Sequence, residues 1–274
     1  MVNVNAVSIY DAGDMMMYNH SVINVDKDVG GENMEQPKMF QVSTLKALML
    51  GYTRPVLTVS DLVGHGDTGL GTFENVDGEM IVVDGKCYRA MNDGKAEPAD
   101  SEQGVPFASV AKTAGGVTFE LKDVGDIDSL KEILNNKVDE GFGLNSMHVV
   151  RIDAHFDRVS ARSETGKRTQ HVELKDILRN AQQDFDFFDL EGTLVCIYYP
   201  DYMDGINAAG WHLHFISNDR TRGGHVFDVS IATGEAKMDK IQRIEIQLPA
   251  DPAFDTYTLT ESLGNDIKEV EQGK

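Results

Sequence analysis

The patterning of this chain predicts a strand-rich α+β fold, and three observations carry that prediction. Apolar and polar residues alternate with a period of two along several short segments, the signature of half-buried strands. Asp-Gly pairs punctuate those segments at 77–78, 84–85 and 93–94, the dipeptide favoured in tight hairpins because both central residues take positive φ. Helical periodicity surfaces in only a few places. With 274 residues the chain can bury a substantial core, and 41% hydrophobic with 26% charged residues is the balance of a globular protein.

Residues 1–36 are rich in Asn, Asp and Gly without clear periodicity and read as an N-terminal arm. Ser43 is placed to cap a short helix with Leu45, Leu48 and Met49 on one face and Gly51 at its end. Residues 71–98 read as a β-meander with strands at 80–83 and 86–89, and another strand follows at 116–121. Ser129 and Glu132 form the expected capping box of a helix that turns Leu130, Ile133, Leu134 and Val138 inward. Alternation returns at 147–159, with Met147, Val149, Arg151 and Asp153 on one side and His148, Val150 and Ile152 on the other. The polar, basic run 160–170 reads as a linker and places a boundary near residue 165, giving domains at 37–165 and 166–274. Leu174, Ile177, Leu178 and Ala181 recur at i, i+3, i+4 and i+7, so a helix is expected there. Strands are expected at 193–199 and 243–248, and the tail beyond is acidic.

Trp211-His212-Leu213-His214-Phe215 puts two histidines on one strand face and three large apolar residues on the other. Residues 218–224 are polar and glycine-ended, a hairpin turn, and the returning strand opens with His225. Folded back, His225 lands near His214, on the same or a diagonal position. Three converging imidazoles make the ligand set of a zinc ion with an open fourth position, which means chemistry rather than scaffolding. Imidazoles also suit copper, iron and nickel, so the spacing does not name the metal. The plainer account fits the other histidines. His65 lies in a glycine loop, His155 reads as surface, and His20, His148 and His171 carry no signal.

Forty-five acidic against 25 basic side chains give a net charge of −20, which argues against nucleic acid as a partner. A small anionic substrate stays compatible, because one divalent cation inverts the local field. Cys87 and Cys196 sit in apolar strand contexts and read as buried free thiols. No apolar run approaches the ~20 residues that span a bilayer, and the N-terminus lacks a signal-peptide pattern. The expected location is cytoplasmic, with no membrane partner.

Candidate reactive groups are fewer. Glu79 follows an Asp-Gly turn at a strand's first residue, where it is either an exposed carboxylate or a group projecting from the sheet rim. Arg151, flanked by Val149, Val150 and Ile152, needs a carboxylate: a structural one such as Asp153 or Glu79, or one on a substrate. Asp228, three residues after His225, is a candidate to orient a ligand imidazole, although alternation puts it on the opposite face. Trp211 reads as core. No serine nucleophile elbow and no dinucleotide or P-loop fingerprint is present.

Several blocks together resemble the alpha-acetolactate decarboxylase family, from about residue 40 to 271. They are Gln41-Val42-Ser43-Thr44, Gly66-Asp67-Thr68-Gly69-Leu70-Gly71-Thr72-Phe73, Asp77-Gly78-Glu79-Met80 and Arg151-Ile152-Asp153. Gly205-Ile206 leads into Ala209-Gly210-Trp211-His212-Leu213-His214-Phe215, and Gly223-Gly224-His225-Val226-Phe227-Asp228 completes the set. Trp211 stands where the family more usually has tyrosine, and the N-terminal arm is longer than a typical core. The resemblance implies zinc held by His212, His214 and His225, with Glu79 and Arg151 matching the active-site glutamate and strand arginine. It implies a further glutamate, Glu271 or, as the fallback, Glu269, from a C-terminal tail folded over the metal. The implied reaction is decarboxylation of (S)-2-acetolactate to (R)-acetoin and carbon dioxide in the acetoin and butanediol pathway, with zinc as the Lewis acid that stabilises an enediolate. The implied fold is a mixed-sheet domain followed by a half-closed, barrel-like sheet carrying the histidines, assembled as a homodimer with strands shared across the interface. Two rival readings are a cupin-like metalloenzyme and a zinc-stabilised small-molecule-binding domain. A cupin usually has a glutamate soon after His-x-His and its last histidine much further on. A structural zinc site closes with a fourth ligand, often cysteine, and both cysteines lie far from the hairpin in sequence.

Overall fold

In the computed structural model, which describes residues 37–113, 115–141, 143–166 and 173–259, the period-two segments pair into two principal sheets. In chain order the elements begin with β1 (Lys38–Val42), α1 (Leu45–Met49), β2 (Leu57–Thr58), α2 (Val59–Val63), β3 (Thr68–Thr72), β4 (Glu79–Val83), β5 (Lys86–Ala90), β6 (Ala96–Pro98), β7 (Gly104–Val105) and β8 (Phe107–Ala111). They continue with β9 (Val117–Val124), α3 (Ile127–Glu140), β10 (Met147–Ser163), α4 (Leu174–Ala181), β11 (Gln183–Tyr199), β12 (Gly210–Ser217), β13 (Gly223–Ile241) and β14 (Arg243–Gln247).

The first sheet has seven strands in the order β14-β1-β8-β3-β4-β5-β6. It is mixed, because β14 runs parallel to β1 while β1 and β8, like the β3–β4 and β4–β5 hairpins, are antiparallel. At the β4–β5 turn Asp84 and Gly85 take φ of 54° and 70°, the conformation that made Asp-Gly a hairpin signal. The second sheet runs β10-β11-β12-β13-β9, and β10 also pairs with β13, so the strands β10 to β13 close into a ring with β9 outside it. Both the mixed sheet and the barrel-like sheet therefore stand as expected. Closure rests on strand length and irregularity. β10 and β11 have 17 residues each and β13 has 19, and β10 shifts register against β13 near Phe156 and again between Ser160 and Ala161. Such shifts bend a strand and raise its twist, which lets a sheet curl onto itself.

Strand pairing does not follow the expected boundaries. Residues 160–163, read as linker, continue β10: Ser160 pairs with Asp186 and Asp228, and Arg162 with Asp184 and His225. Polar residues are stable there because their side chains pair laterally, as when the Ser160 hydroxyl donates to Asp186 at 2.5 Å. Nor does residue 165 separate the sheets, since β9 and β10 lie in the ring sheet and β14 returns to the mixed sheet. Two helix starts also move. Thr44, not Ser43, caps α1, and Ser43 has a positive φ of 58°. Asp126 caps α3 by accepting from the Ser129 amide at 2.7 Å, because the helix opens three residues earlier than the Ser129–Glu132 pattern suggested.

The ring has two faces with different partners. Leu194, Cys196, Trp211, Leu213, Phe215, Phe156 and Val159 point inward, joined by Leu130, Leu134 and Val138 of α3, while Ile133 is half-buried against them. Val149, Val195, Ile197 and Ile216 point outward and pack on Leu70, Ile81 and Val83 of the mixed sheet. Cys87 and Cys196 are free and buried; burial pushes Cys87 up to about 12 and Cys196 further still, so both thiols stay protonated. Among the described residues no helix is long and apolar enough to cross a membrane.

His148 sits buried near the start of β10, where Nε2 lies 3.0 Å from the Gly143 carbonyl and Nδ1 has no hydrogen-bond partner among the described residues. Burial, more than the neighbouring Lys240, lowers its pKa below the ordinary 6.5, against the opposing pull of the carbonyl. The unfolded chain therefore takes up the proton first, and the stability that depends on neutral His148 is complete above about pH 6.5 and declines as the pH falls. Urea unfolding of the chelated protein at pH 7.5 and 5.5 should show a loss that shrinks in His148→Phe by up to about 1.4 kcal/mol per pH unit. An identical loss in both proteins would refute this account.

Candidate metal centre

Along β12 the alternation resolves into two environments. Trp211, Leu213 and Phe215 enter the ring core, so His212 and His214 emerge on the face turned to the mixed sheet. The β12–β13 register sets His214 directly opposite His225. His212 Nε2 lies 3.1 Å from His214 Nε2 and 3.2 Å from His225 Nδ1, and one nitrogen from each ring falls within 4.8 Å of the others. Gly223 and Gly224 let the return strand approach this closely: a Cβ on Gly223 would lie 2.8 Å from the Phe215 carbonyl oxygen, and one on Gly224 3.0 Å from that of Arg162.

All three rings are buried, with relative exposures of 8%, 0% and 4%. Burial penalises an imidazolium and holds His212 down to about 3, helped by Arg162 and Lys131. His214 is lowered well below its ordinary value by burial first and then by His212, against the opposing pull of its bond to Met80. Neutral rings keep a lone pair for a cation. His214 Nδ1–H donates to the Met80 carbonyl at 2.8 Å, which fixes the tautomer and leaves Nε2 facing its neighbours. Glu79 Oε2 lies 3.4 Å from that Nε2, and the Glu79 side chain is only 13% exposed. It is thus the projecting rim carboxylate of the two alternatives. Three converging imidazole nitrogens beside a carboxylate fit a divalent cation with room for a further ligand.

His212 and His225 border a cavity whose empty space, open solvent included, is about 430 Å³. His212, His225, Glu79, Arg162 and Glu164 line it on the polar side. Leu48, Val76, Phe107, Leu174 and Leu178 form the other wall. Arg162 faces His225 across the β10–β13 ladder, with Nη2 3.3 Å from His225 Nε2. Glu164, just past the end of β10, is 1% exposed.

Of the two arginines, Arg162 lines the cavity and Arg151, the expected site arginine, lies elsewhere. Arg151 does not line the cavity. Its Nε donates to Asp153 Oδ2 at 2.7 Å, as one alternative had it, and its Nη1 donates to Asp84 on the β4–β5 turn. Arg151 therefore ties the ring to the mixed sheet. The phase change in β10 explains the difference. Val150, Ile152, Ala154 and Phe156 point into the ring, but Val159 and Ala161 do so beyond the register shift, which brings Ser160 and Arg162 onto the histidine face. The signal available was Val159-x-Ala161-x-Ser163 continuing the alternation into the supposed linker.

Other readings resolve simply. Asp228 accepts from the Ile127 amide at 3.1 Å and pairs with Arg158, away from the imidazoles. His155 lies near the surface between Asp189 and Glu191, and His65 stacks on Phe40 with centroids 3.6 Å apart. Trp211 Nε1 donates to Asn135 on α3 at 2.8 Å. Glu271, Glu269, His20 and His171 lie outside the described residues. One supporting cluster was missed. Asn207, in the turn before β12, donates to Gln41 Oε1 and Ser109 Oγ, each at 3.0 Å, and the Tyr199 hydroxyl donates to Gln41 Oε1 at 2.9 Å. This buried network anchors the segment that delivers the histidines.

A family model described as alpha-acetolactate decarboxylase matches residues 39–261. An alpha-acetolactate decarboxylase of Methanosarcina mazei is 36% identical over 252 residues, 92% of this chain and 85% of the relative. One from Bacillus licheniformis is 34% identical, covering 80% of this chain and 84% of its own. The crystal structure of alpha-acetolactate decarboxylase from Bacillus subtilis strain 168 superposes with a TM-score of 0.81 at 28% identity, over 86% of this chain and all of that one.

Purified protein should carry about one divalent cation per chain, and His214→Ala should lose it. Elemental analysis after dialysis decides the point: full occupancy in the folded variant would exclude this ligand set.

Proposed function

The chain belongs to the alpha-acetolactate decarboxylase family, and on that premise we propose that it is a carboxy-lyase converting (S)-2-acetolactate to (R)-acetoin and carbon dioxide in acetoin and butanediol metabolism. The observation that carries this reading is the convergence of three buried imidazoles with Glu79 and Arg162 beside one cavity. Zinc is the proposed ion, and when held by His212, His214 and His225 it would supply Lewis acidity to the carbonyl and hydroxyl oxygens of the substrate.

The chain's own residues account for the remaining work. Loss of carbon dioxide from a 2-hydroxy-3-oxo acid leaves an electron pair that must delocalise into the neighbouring carbonyl as an enediolate. Arg162, inside the cavity, orients the departing carboxylate through charge-assisted hydrogen bonds. The apolar groups lining the same cavity strengthen the contact, because they leave less water to compete for that guanidinium. Glu79 stands beside His214 at the same cavity and is the proposed acid that returns a proton to one face of the carbinol carbon. One-sided delivery fixes the chirality of the product. Glu271 or Glu269, from the tail, is the second proposed carboxylate. The protein is proposed to work as a cytoplasmic homodimer; among the described residues β9 pairs only with β13 and leaves an edge at which a strand could add.

Acetoin formation from racemic acetolactate, measured before chelation, after it and with zinc restored, tests the proposal. Activity should vanish with the chelator and return with zinc, while no acetoin from folded, zinc-loaded protein would defeat it. Arg162→Gln should lower kcat/KM by about 10²- to 10³-fold, the scale of losing one buried charge-stabilising donor. Arg151→Gln should leave catalysis near wild type and reduce stability by at most roughly 1 kcal/mol, as a half-exposed ion pair does. The reverse ranking would return Arg151 to the site.

A further inference from the structure

The polar side of the cavity is accounted for by cation and carboxylate binding, but its opposite wall is not. Leu48 of α1, Val76 just before β4, Phe107 of β8, and Leu174 and Leu178 of α4 bring apolar groups from separate elements to one surface. Four of them are buried, at 5%, 3%, 2% and 3% exposure in chain order, and belong to one cluster with Leu45, Ile177 and Ala208. Leu178 is only partly buried against that cluster and also lines the cavity. Leu174 and Leu178 stand at i and i+4, so one helical face presents both. Thr72, the hydroxyl-bearing residue between the walls, donates to the Gly78 carbonyl at 2.9 Å and so does not break the apolar surface.

A cavity with one polar and one apolar wall orients a ligand by both ends. With the carboxylate and the two oxygens of a 2-hydroxy-3-oxo acid on the polar side, the alkyl groups must face the leucines. From this we infer that Leu48, Leu174 and Leu178 form the alkyl-recognition wall, and that Leu178 sets how large a substituent the carbinol carbon can carry. The inference rests on the decarboxylase reading for the identity of the ligand. Leu178 holds this place because it touches the cavity without being fully committed to the core. A change there alters ligand contacts at small cost to folding, whereas Leu174 or Phe107 would take the cluster with it.

The direct test compares kcat/KM for acetolactate and its homologue bearing ethyl in place of the carbinol methyl, in wild type, Leu178→Ala and Leu178→Phe. Leu178→Ala should raise the ethyl-to-methyl ratio about four-fold, the effect of accommodating one more buried methylene. Leu178→Phe should lower it by about ten-fold, within the range one methylene can discriminate. Leu178→Met, similar in volume, should keep the wild-type ratio and shows that any change is not a general disturbance of α4. Ratios unmoved in both the alanine and phenylalanine variants, with melting behaviour intact, overturn the assignment. If wild type releases carbon dioxide from neither substrate, the decarboxylase reading fails and the wall is tested alone. Calorimetric titration of metal-loaded protein with 2-hydroxy-2-methylpropanoate, -butanoate and -pentanoate should then show affinity rising about four-fold per methylene. A flat series in wild type and Leu178→Ala overturns the wall as well.

Discussion

The hydrogen bond from His214 Nδ1 to the Met80 carbonyl is the contact on which the site depends. It joins the ring to the mixed sheet at the point where the two meet, and it selects the tautomer that leaves Nε2 facing the other imidazoles. Because Met80 follows Glu79 on β4, the strand that orients the ligand also carries the carboxylate to within 3.4 Å of it. A shift of β4 by one residue would exchange the faces of Glu79 and Met80 and lose both contacts together. The packing of Leu70, Ile81 and Val83 on Val195, Ile197 and Ile216 holds that register.

Burial gives the site its electrical character. An acidic chain of net charge −20 would bind cations loosely over much of its surface. At the three buried imidazoles the selection is sharper, because burial holds His212 and His214 neutral and one nitrogen from each of the three rings converges. Arg162 adds a fixed positive charge beside them, with two carboxylates, Glu79 and Glu164, on the same cavity. Such a mixture suits a small anion recognised at one end and a cation held at the other.

The remaining constraints are mechanical. Arg151 reaches from β10 to the β4–β5 turn and fixes one side of the sheet-to-sheet junction. Gln41, Ser109, Tyr199 and Asn207 fix another, with every member of the network buried. Buried networks of this kind tolerate few alternative arrangements, since each lost partner leaves a polar group without water. The segment entering β12 is thereby held where the histidines need it.

The histidine set, the Asp-Gly hairpins, the helix at 174–181 and the buried cysteines were legible in the chain because each depends on local periodicity or local turn chemistry. Glu79 was legible as a position, although only the fold decided that it faces the imidazoles rather than solvent. That Arg162 lines the cavity while Arg151 does not could not be read from alternation, which extrapolates correctly only until a strand shifts register. The irregularity near Phe156 reverses which residues face the mixed sheet, and its trace in the chain is the alternation that runs on through Val159, Ala161 and Ser163. The expected boundary near residue 165 does not coincide with the division between the sheets for a related reason: β10 bonds to β11 and β13, and β14 to β1, far apart in the chain. Sequence determined which groups were available for chemistry. Tertiary pairing decided which of them share a cavity, because that depends on long-range register and closure, which no local pattern encodes.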